Sequence, residues 1–180
     1  MHRIALRLLP LLCLVLASCG SSGGVRSRDY VGGTASVECA PFARALTGIS
    51  LSGEAADWWR QAEGRYTRTQ EPEVGSVLVF RRSGRLPSGH VAVVSRVLSR
   101  RRIMVTQANW VHHRITADQP VIDASAGGDW TAVRAWWPPA GAMGSAPYAT
   151  FGFIRIGHPV DHERLLAATP EAVRIAEHGW

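Results

Sequence analysis

Apolar runs, each short enough to be a single β-strand, follow one another from Ser76 to Ile156. They are separated by polar or glycine-containing junctions, a pattern typical of strands joined by short connections. Before them, residues 39–64 carry two short helical patterns instead. Helices followed by strands predict an α+β fold, in which N-terminal helices, the first carrying a cysteine, pack on an antiparallel β-sheet. The expected strands are residues 76–80, 89–98, 102–110, 131–136 and 150–156.

The first predicted helix begins at about Cys39, because Pro41 is tolerated only in the first turn of a helix. Gly48 is a suitable C-cap, since glycine readily adopts the left-handed conformation that ends many helices. A second helix is expected over residues 53–63. The cysteine therefore lies at the N-terminal end of a short helix.

The N-terminus has the pattern of a targeting segment. Two arginines precede an apolar run over residues 8–17 that is too short to span a bilayer. Residues 16–20, Leu-Ala-Ser-Cys-Gly, resemble the end of a bacterial lipoprotein signal, in which cleavage precedes a cysteine that is then lipidated. The resemblance implies a signal peptide over residues 1–18 and an exported chain anchored to a membrane through Cys19. Gly20, rather than aspartate, then favours an outer membrane with the protein facing the periplasm; ordinary cleavage beside an incidental cysteine is the alternative.

The remaining chain divides into three parts by composition. Residues 19–34 are rich in Gly, Ser and Arg and predict a flexible tether. Residues 35–157 have the length and apolar content of one domain. Residues 158–180 predict a C-terminal helical tail of one or two short helices, with a start signal at residues 169–171.

The charge pattern restricts the partners. The formal net charge is +6, and every basic residue other than histidine is arginine. A mildly basic exported protein suits an anionic cell-wall or lipid surface. The positive charge is scattered along the chain, and nucleic acid is not expected outside the cell, so a nucleic-acid partner is not predicted.

The three cysteines have different predicted fates. Cys13 leaves with the signal peptide and Cys19 receives lipid, so Cys39 remains as a single thiol. Exported proteins usually pair their thiols. An unpaired one indicates either a catalytic nucleophile or a small buried apolar residue, and its position alone does not decide between them.

A histidine and an asparagine downstream could meet this thiol. His90 begins one strand of a predicted hairpin and Asn109 ends the other. The register of the hairpin can be described by the sum of the numbers of two residues that pair across its strands. If this sum is 199, His90 and Asn109 face each other directly, and if it is 201 they still lie on the same face of the hairpin. A sum of 200 puts them on opposite faces. A catalytic arrangement therefore predicts an even-numbered hairpin loop or a compensating bulge.

The chemistry needs these residue types. A cysteine is a nucleophile as the thiolate, and helix N-terminal amides and a nearby imidazolium both lower a thiol pKa. His90 would protonate the leaving amine, and Asn109 would orient the imidazole ring of His90. The backbone amide of Cys39, with the Gln107 side chain, could stabilise an oxyanion, and Trp110 is the best candidate among the tryptophans for substrate contact.

The sequence resembles the CHAP domain, the cysteine- and histidine-dependent amidohydrolase/peptidase family. This resemblance implies a papain-like α+β fold with Cys39 as nucleophile, His90 as base and Asn109 as orienting residue. Many family members carry glutamate where Gln107 stands, and that acid sometimes fills the orienting role. The motifs that carry the resemblance are Glu38-Cys39-Ala40-Pro41-Phe42-Ala43, Gly75-Ser76-Val77-Leu78-Val79-Phe80, Gly89-His90-Val91-Ala92-Val93-Val94 and Gln107-Ala108-Asn109-Trp110.

The predicted function is an exported, lipid-anchored cysteine hydrolase. By the resemblance, its substrate is an amide bond in peptidoglycan, either the muramoyl–L-alanine link or a peptide link of the stem or cross-bridge. Neither a metal nor an organic cofactor is expected, and a monomer is predicted. The alternatives are a non-catalytic wall-binding lipoprotein on the same fold, a cysteine amidase of a small molecule, and a structural interaction protein with a buried Cys39.

Overall fold

The computed structural model describes residues 37–158 and 160–178. The predicted signal peptide, the predicted tether and Cys19, the predicted lipidation site, all lie outside the described residues. The helices are α1 (Cys39–Thr47), α2 (Trp58–Gln61) and α3 (His162–His178), with 3-10 turns at Ala55–Asp57 and Pro138–Ala140. The strands are β1 (Arg68–Thr69), β2 (Val77–Phe80), β3 (His90–Ser99), β4 (Arg102–Ala108), β5 (Ile115–Asp123), β6 (Ala132–Trp137), β7 (Ala142–Met143) and β8 (Tyr148–Ile154).

The strands form one antiparallel sheet that closes on itself. Its order is β1-β8-β2-β3-β4-β5-β6-β7, and β6 also pairs with β8 through Ala132↔Ala149 and Val133↔Tyr148. Strands β8, β2, β3, β4, β5 and β6 therefore make a closed six-stranded barrel. The short strands β1 and β7 extend it at β8 and β6.

The predicted fold class is wrong. A papain-like α+β fold, with N-terminal helices packed on a sheet, does not describe a chain whose described part is mostly a closed antiparallel barrel with few helices. Closure depends on β5, which the sequence did not predict as a strand. Its residues include Asp118 and Pro120, which are of types depleted in strands, and tertiary pairing with β4 and β6 overrides that preference.

The two faces of β2 and β3 are both buried, but against different partners. The inner face contributes Leu78, Phe80 and Ala92 to the barrel core, with Phe153 from β8 and Trp130 from the connection between β5 and β6. The outer face contributes Val77, Val79, Val91 and Val93 to a second core beneath α1 and α2. The continuous apolar run of β2 is explained by this double burial.

The first helix follows the prediction closely. It begins at Cys39, and Gly48 ends it with φ 72° while its N–H donates to the Arg44 carbonyl at 2.8 Å. The second predicted helix is shorter than expected, because residues 53–63 contain the 3-10 turn followed by only one α-helical turn.

The tail contains one helix, α3, and the predicted start signal at residues 169–171 lies inside that helix. Pro170 lies inside α3, and the Thr169 hydroxyl donates to the Leu165 carbonyl at 3.0 Å. Ala172 and Val173 of α3 pack with Phe42 of α1. Within the described residues, every helix is too short or too polar to cross a bilayer.

Candidate active site

Cys39 and His90 line one cleft of about 610 Å³. Cys39 is the first residue of α1, with Glu38 at the N-cap position, and its side chain is partly buried. His90 is the first residue of β3, where it pairs with Phe80 of β2. The cleft lies where the helix start meets the start of the strand, and Asn109 also lines it.

The backbone before His90 requires glycine. Gly89 has φ 73°, and a Cβ there would lie 2.6 Å from the Ala56 Cβ and 2.7 Å from the Phe80 carbonyl oxygen. The neighbouring Ser88 carbonyl accepts a hydrogen bond from the Ala56 N–H at 3.1 Å. Gly89 therefore lets the 3-10 turn pack directly against the chain that enters β3 and so fixes the position of His90.

The β3–β4 register is the one that a shared face requires. Near the site, Val93 pairs with Thr106 and Val94 with Val105, so the paired numbers sum to 199. Two register shifts follow towards the turn, and the last pair, Ser99↔Arg102, leaves a two-residue loop. The expected even loop and compensating bulges are both present.

Gln107, rather than Asn109, contacts His90. The Gln107 Oε1 lies 2.9 Å from the His90 Nε2, and both side chains are buried. Asn109 follows the end of β4 with φ 57°, so its backbone turns away from the ladder. Its Nδ2 donates to the Glu38 Oε2 at 2.8 Å, and its Oδ1 accepts from the His113 N–H at 3.0 Å.

This geometry gives Gln107 the position that was expected for Asn109. With the amide oxygen accepting from Nε2–H, the ring has its other nitrogen, Nδ1, unprotonated and available as a base. The Gln107 Nε2 is buried and has no hydrogen-bond partner among the described residues. The catalytic roles of Cys39, His90 and Asn109 stay predictions, as do the oxyanion and substrate roles of Gln107 and Trp110.

The electrostatics differ from the expected thiolate–imidazolium pair. Burial raises the pKa of the Cys39 thiol, and the Glu38 carboxylate raises it further. Backbone N–H groups of Val91, Ala40 and Cys39 act in the opposite direction but do not offset these effects. Burial also lowers the pKa of His90 to about 4, although the bond to Gln107 and the charge of Glu38 both act to raise it. Both groups are therefore neutral in the resting protein at neutral pH.

An aromatic wall adjoins His90. The ring of Trp110 lies 5.1 Å from that of His90 and 5.1 Å from that of Tyr148, measured between centroids. Its Nε1 donates to the Trp136 carbonyl at 2.9 Å, which fixes the indole. Trp110 thus packs beside the histidine and lines a neighbouring cleft rather than the cysteine cleft itself.

Sequence reasoning missed one residue of the site. Glu38 is exposed, lines the cleft beside Cys39 and bonds Asn109. Its adjacency to the cysteine was the only signal available, and sequence alone does not show that the carboxylate acts on both Cys39 and His90.

Within residues 37–158 and 160–178, no group of three His, Cys, Asp or Glu side chains is placed to hold a metal ion.

The arrangement can support nucleophilic chemistry. A thiol at a helix start, a neutral imidazole on the same cleft and an amide that fixes the ring are the parts of a cysteine–histidine nucleophile system.

Residues 29–109 match the family model of the CHAP domain. The matched segment includes Cys39, His90, Gln107 and Asn109 and ends before β5. A comparison with curated proteins found no match.

Proposed function

We propose, taking the CHAP-domain match as the premise, that this protein is a cysteine hydrolase that cleaves amide bonds in peptidoglycan. CHAP domains belong to a family of cysteine- and histidine-dependent amidohydrolases and peptidases that act on peptidoglycan. The observation that carries the proposal is the shared cleft of Cys39 and His90, with the His90 Nε2 bonded to Gln107. Gln107 leaves Nδ1 as the nitrogen that can accept a proton.

Acylation begins from neutral partners. His90 Nδ1 takes the proton of the Cys39 thiol as the sulfur attacks the carbonyl carbon of the scissile amide. The developing oxyanion is stabilised by backbone N–H groups at the start of α1, which have no intrahelical acceptor. The C–N bond then breaks, the protonated His90 gives its proton to the leaving amine, and a thioester on Cys39 remains.

Deacylation uses the same residues in reverse order. His90 Nδ1 accepts a proton from water while the water oxygen attacks the thioester carbonyl. The C–S bond breaks, the carboxylic acid product leaves, and the sulfur regains the proton from His90. Because burial lowers the pKa of His90 to about 4, its base form is available throughout the neutral range.

The site of action is also proposed. We infer that the chain is exported and anchored to an outer membrane through a lipid on Cys19, with its cleft facing the peptidoglycan in the periplasm, and that it acts as a monomer. The residues that support this lie at the N-terminus, where a basic start, a short apolar run and Leu-Ala-Ser-Cys-Gly follow one another. Anchoring beside the wall would raise the effective substrate concentration without tight binding.

The decisive experiment is digestion of purified peptidoglycan by the full-length chain in detergent, with Cys39→Ala as the matched control. We expect soluble fragments from the wild type, and their masses identify the bond that is cut. Cys39→Ala should release none, because it retains the fold but lacks the nucleophile. A mass increase on Cys39 during brief incubation would identify the thioester.

Two results would count against the proposal in different ways. Equal fragment release by both proteins would exclude Cys39 as nucleophile. No release by either, with retention of both proteins on the insoluble wall, would favour a non-catalytic wall-binding protein on this fold.

A further inference from the structure

A second cleft, of about 430 Å³, lies beside the cysteine cleft. Arg85, in the connection between β2 and β3, lines both. Trp110 lines the second cleft while its ring packs against His90. The two clefts therefore adjoin at Arg85, and the Trp110–His90 contact links the lining of one cleft to the lining of the other. The other large side chains that line the second cleft are Trp137, Met143 and Tyr148.

Arg85 is held at this junction. Its guanidinium carbon lies 3.7 Å from the centroid of the Tyr148 ring, and one of its terminal nitrogens donates to the Pro147 carbonyl at 2.6 Å. The same connection is fixed at its start, where Arg82 pairs with Glu54 and with Asp57. A guanidinium that is already stacked loses less conformational entropy when it binds an anion.

The charge of Arg85 is not neutralised within the described part of the chain. Neighbouring Arg82 has two carboxylate partners, whereas no carboxylate forms an ion pair with Arg85 among residues 37–158 and 160–178. Among the residues that the structure describes, no other arginine or lysine lines either cleft. Within the described ranges, this guanidinium is the single cationic partner that an anion entering the junction would meet.

Trp137 gives the second cleft an exposed aromatic surface. Its side chain is 41% exposed, unlike Trp58 and Trp130, which are fully buried. An exposed indole that lines a concave surface can cover the apolar face of a sugar ring. The cleft thus combines an aromatic surface with a fixed positive charge, and the residue that carries this charge, Arg85, also lines the cysteine cleft.

We propose that the second cleft binds the same polymer that is cleaved at Cys39, with Arg85 pairing with a carboxylate of the polymer and Trp137 packing on a sugar ring. The substrate class is therefore an anionic glycopeptide that spans both clefts, rather than a bare peptide. This rests on the proposed function for the identity of the polymer. The amide to be cut lies in the cysteine cleft, and the carboxylate lies on the Arg85 side of it.

The test measures binding, so that it does not depend on turnover. The full-length Cys39→Ala protein is titrated by calorimetry with a soluble disaccharide–peptide fragment of peptidoglycan, with the same fragment after amidation of its carboxylates, and with the peptide lacking sugars. Adding Arg85→Gln should weaken binding of the free-carboxylate fragment about tenfold and leave the amidated fragment unchanged. Adding Trp137→Ala should weaken binding about threefold, and only when the sugars are present.

Two further variants serve as controls. Arg102→Gln removes an exposed arginine at the far end of the β3–β4 hairpin and should change none of these affinities. Arg85→Lys keeps the charge but loses the planar stack on Tyr148, so it should bind with intermediate affinity. Unchanged melting temperatures would exclude unfolding as the cause.

The outcomes distinguish the proposed subsite from the proposed hydrolase activity. Arg85-dependent binding of the free-carboxylate fragment supports the subsite even if the wild type cleaves nothing. Equal affinities for Arg85→Gln and Arg102→Gln, or no binding of the fragment to the Cys39→Ala protein, would overturn the subsite even if the wild type is an active hydrolase.

Discussion

Two histidines of this protein each hydrogen-bond a buried polar side chain, yet only one is placed to act as a base. His90 bonds the neutral amide of Gln107 and lines the cleft that holds Cys39. His162, at the start of α3, bonds the carboxylate of Asp118 at 3.0 Å, and the Ser95 hydroxyl donates to the same carboxylate at 2.6 Å. Serine, histidine and aspartate are thus all present at the second site.

The order of contacts distinguishes the two sites. In a catalytic triad the histidine lies between the nucleophile and the acid, so that it can take the nucleophile's proton. Here Asp118 lies between Ser95 and His162, and both donate to it. The second site therefore attaches α3 to the barrel strands β3 and β5, whereas the first leaves a ring nitrogen available for chemistry. Residue composition alone does not distinguish them.

Removing each ring should give the sharpest contrast. His90→Gln deletes the proposed base and is expected to lower kcat/KM for peptidoglycan fragments about 10³-fold. His162→Gln should change it by less than about twofold and cost at most about 1 kcal/mol of stability, because its hydrogen bond to Asp118 is partly exposed. Steady-state kinetics and denaturant unfolding of both variants measure this. Comparable losses of activity would show that the contrast between the sites is wrong.

The backbone that positions His90 should be the next most sensitive feature. Gly89→Ala forces a side chain into a left-handed conformation and against Ala56, and should destabilise the protein by about 3 kcal/mol. Gly84→Ala, in the same connection, meets no atom within 4 Å and should stay within about 0.5 kcal/mol of wild type. Urea unfolding of both variants is the measurement. Two equal midpoints would refute the packing argument.

The pH dependence of stability should carry the signature of His90. Its pKa is lowered to about 4 in the folded protein, so the unfolded chain binds a proton first as the pH falls. The contribution of His90 to stability is complete above pH 6.5, which is about the pKa of histidine in the unfolded chain. It is lost as the pH falls from about 6.5 to about 4. From pH 7 to pH 5 the loss attributable to His90 is about 2 kcal/mol.

The control for this pH effect is His90→Gln. Its stability should fall less over the same range, because glutamine does not titrate. Unfolding free energies at several pH values in both proteins give the difference. Parallel curves would mean that His90 is not held neutral by burial.

The smallest effect concerns the charge beside the nucleophile. The Glu38 carboxylate adds to burial in raising the pKa of the Cys39 thiol, so Glu38→Gln should move the pH profile of iodoacetamide alkylation to lower pH. Glu54→Gln is the matched control, because Glu54 lines the same cleft but is paired with Arg82. Mass spectrometry of alkylated Cys39 against pH follows both. A shift in the control but not in Glu38→Gln would contradict the assignment.

Local signals predicted much of the secondary structure that surrounds the site. The position of Pro41 placed the start of α1 at Cys39, and Gly48 marked its end. Apolar patterns predicted the strands that became β2, β3, β4, β6 and β8. A shared face for His90 and Asn109 required an even-numbered loop or a compensating bulge, and the hairpin has both. The partner of His90 was not predictable in this way, because it depends on the left-handed turn at Asn109.

The sequence by itself determined that a helix begins at Cys39 and a strand at His90, because proline, glycine and apolar periodicity act over a few neighbouring residues. Only the tertiary structure decided that the sheet closes through β5 and the β6–β8 pairing, because these contacts join distant segments whose local preferences do not require them. It also decided that the thiol and the imidazole rest in their neutral forms. Desolvation is the largest cause of both pKa shifts, and it depends on all the atoms packed around a group rather than on its neighbours in the chain.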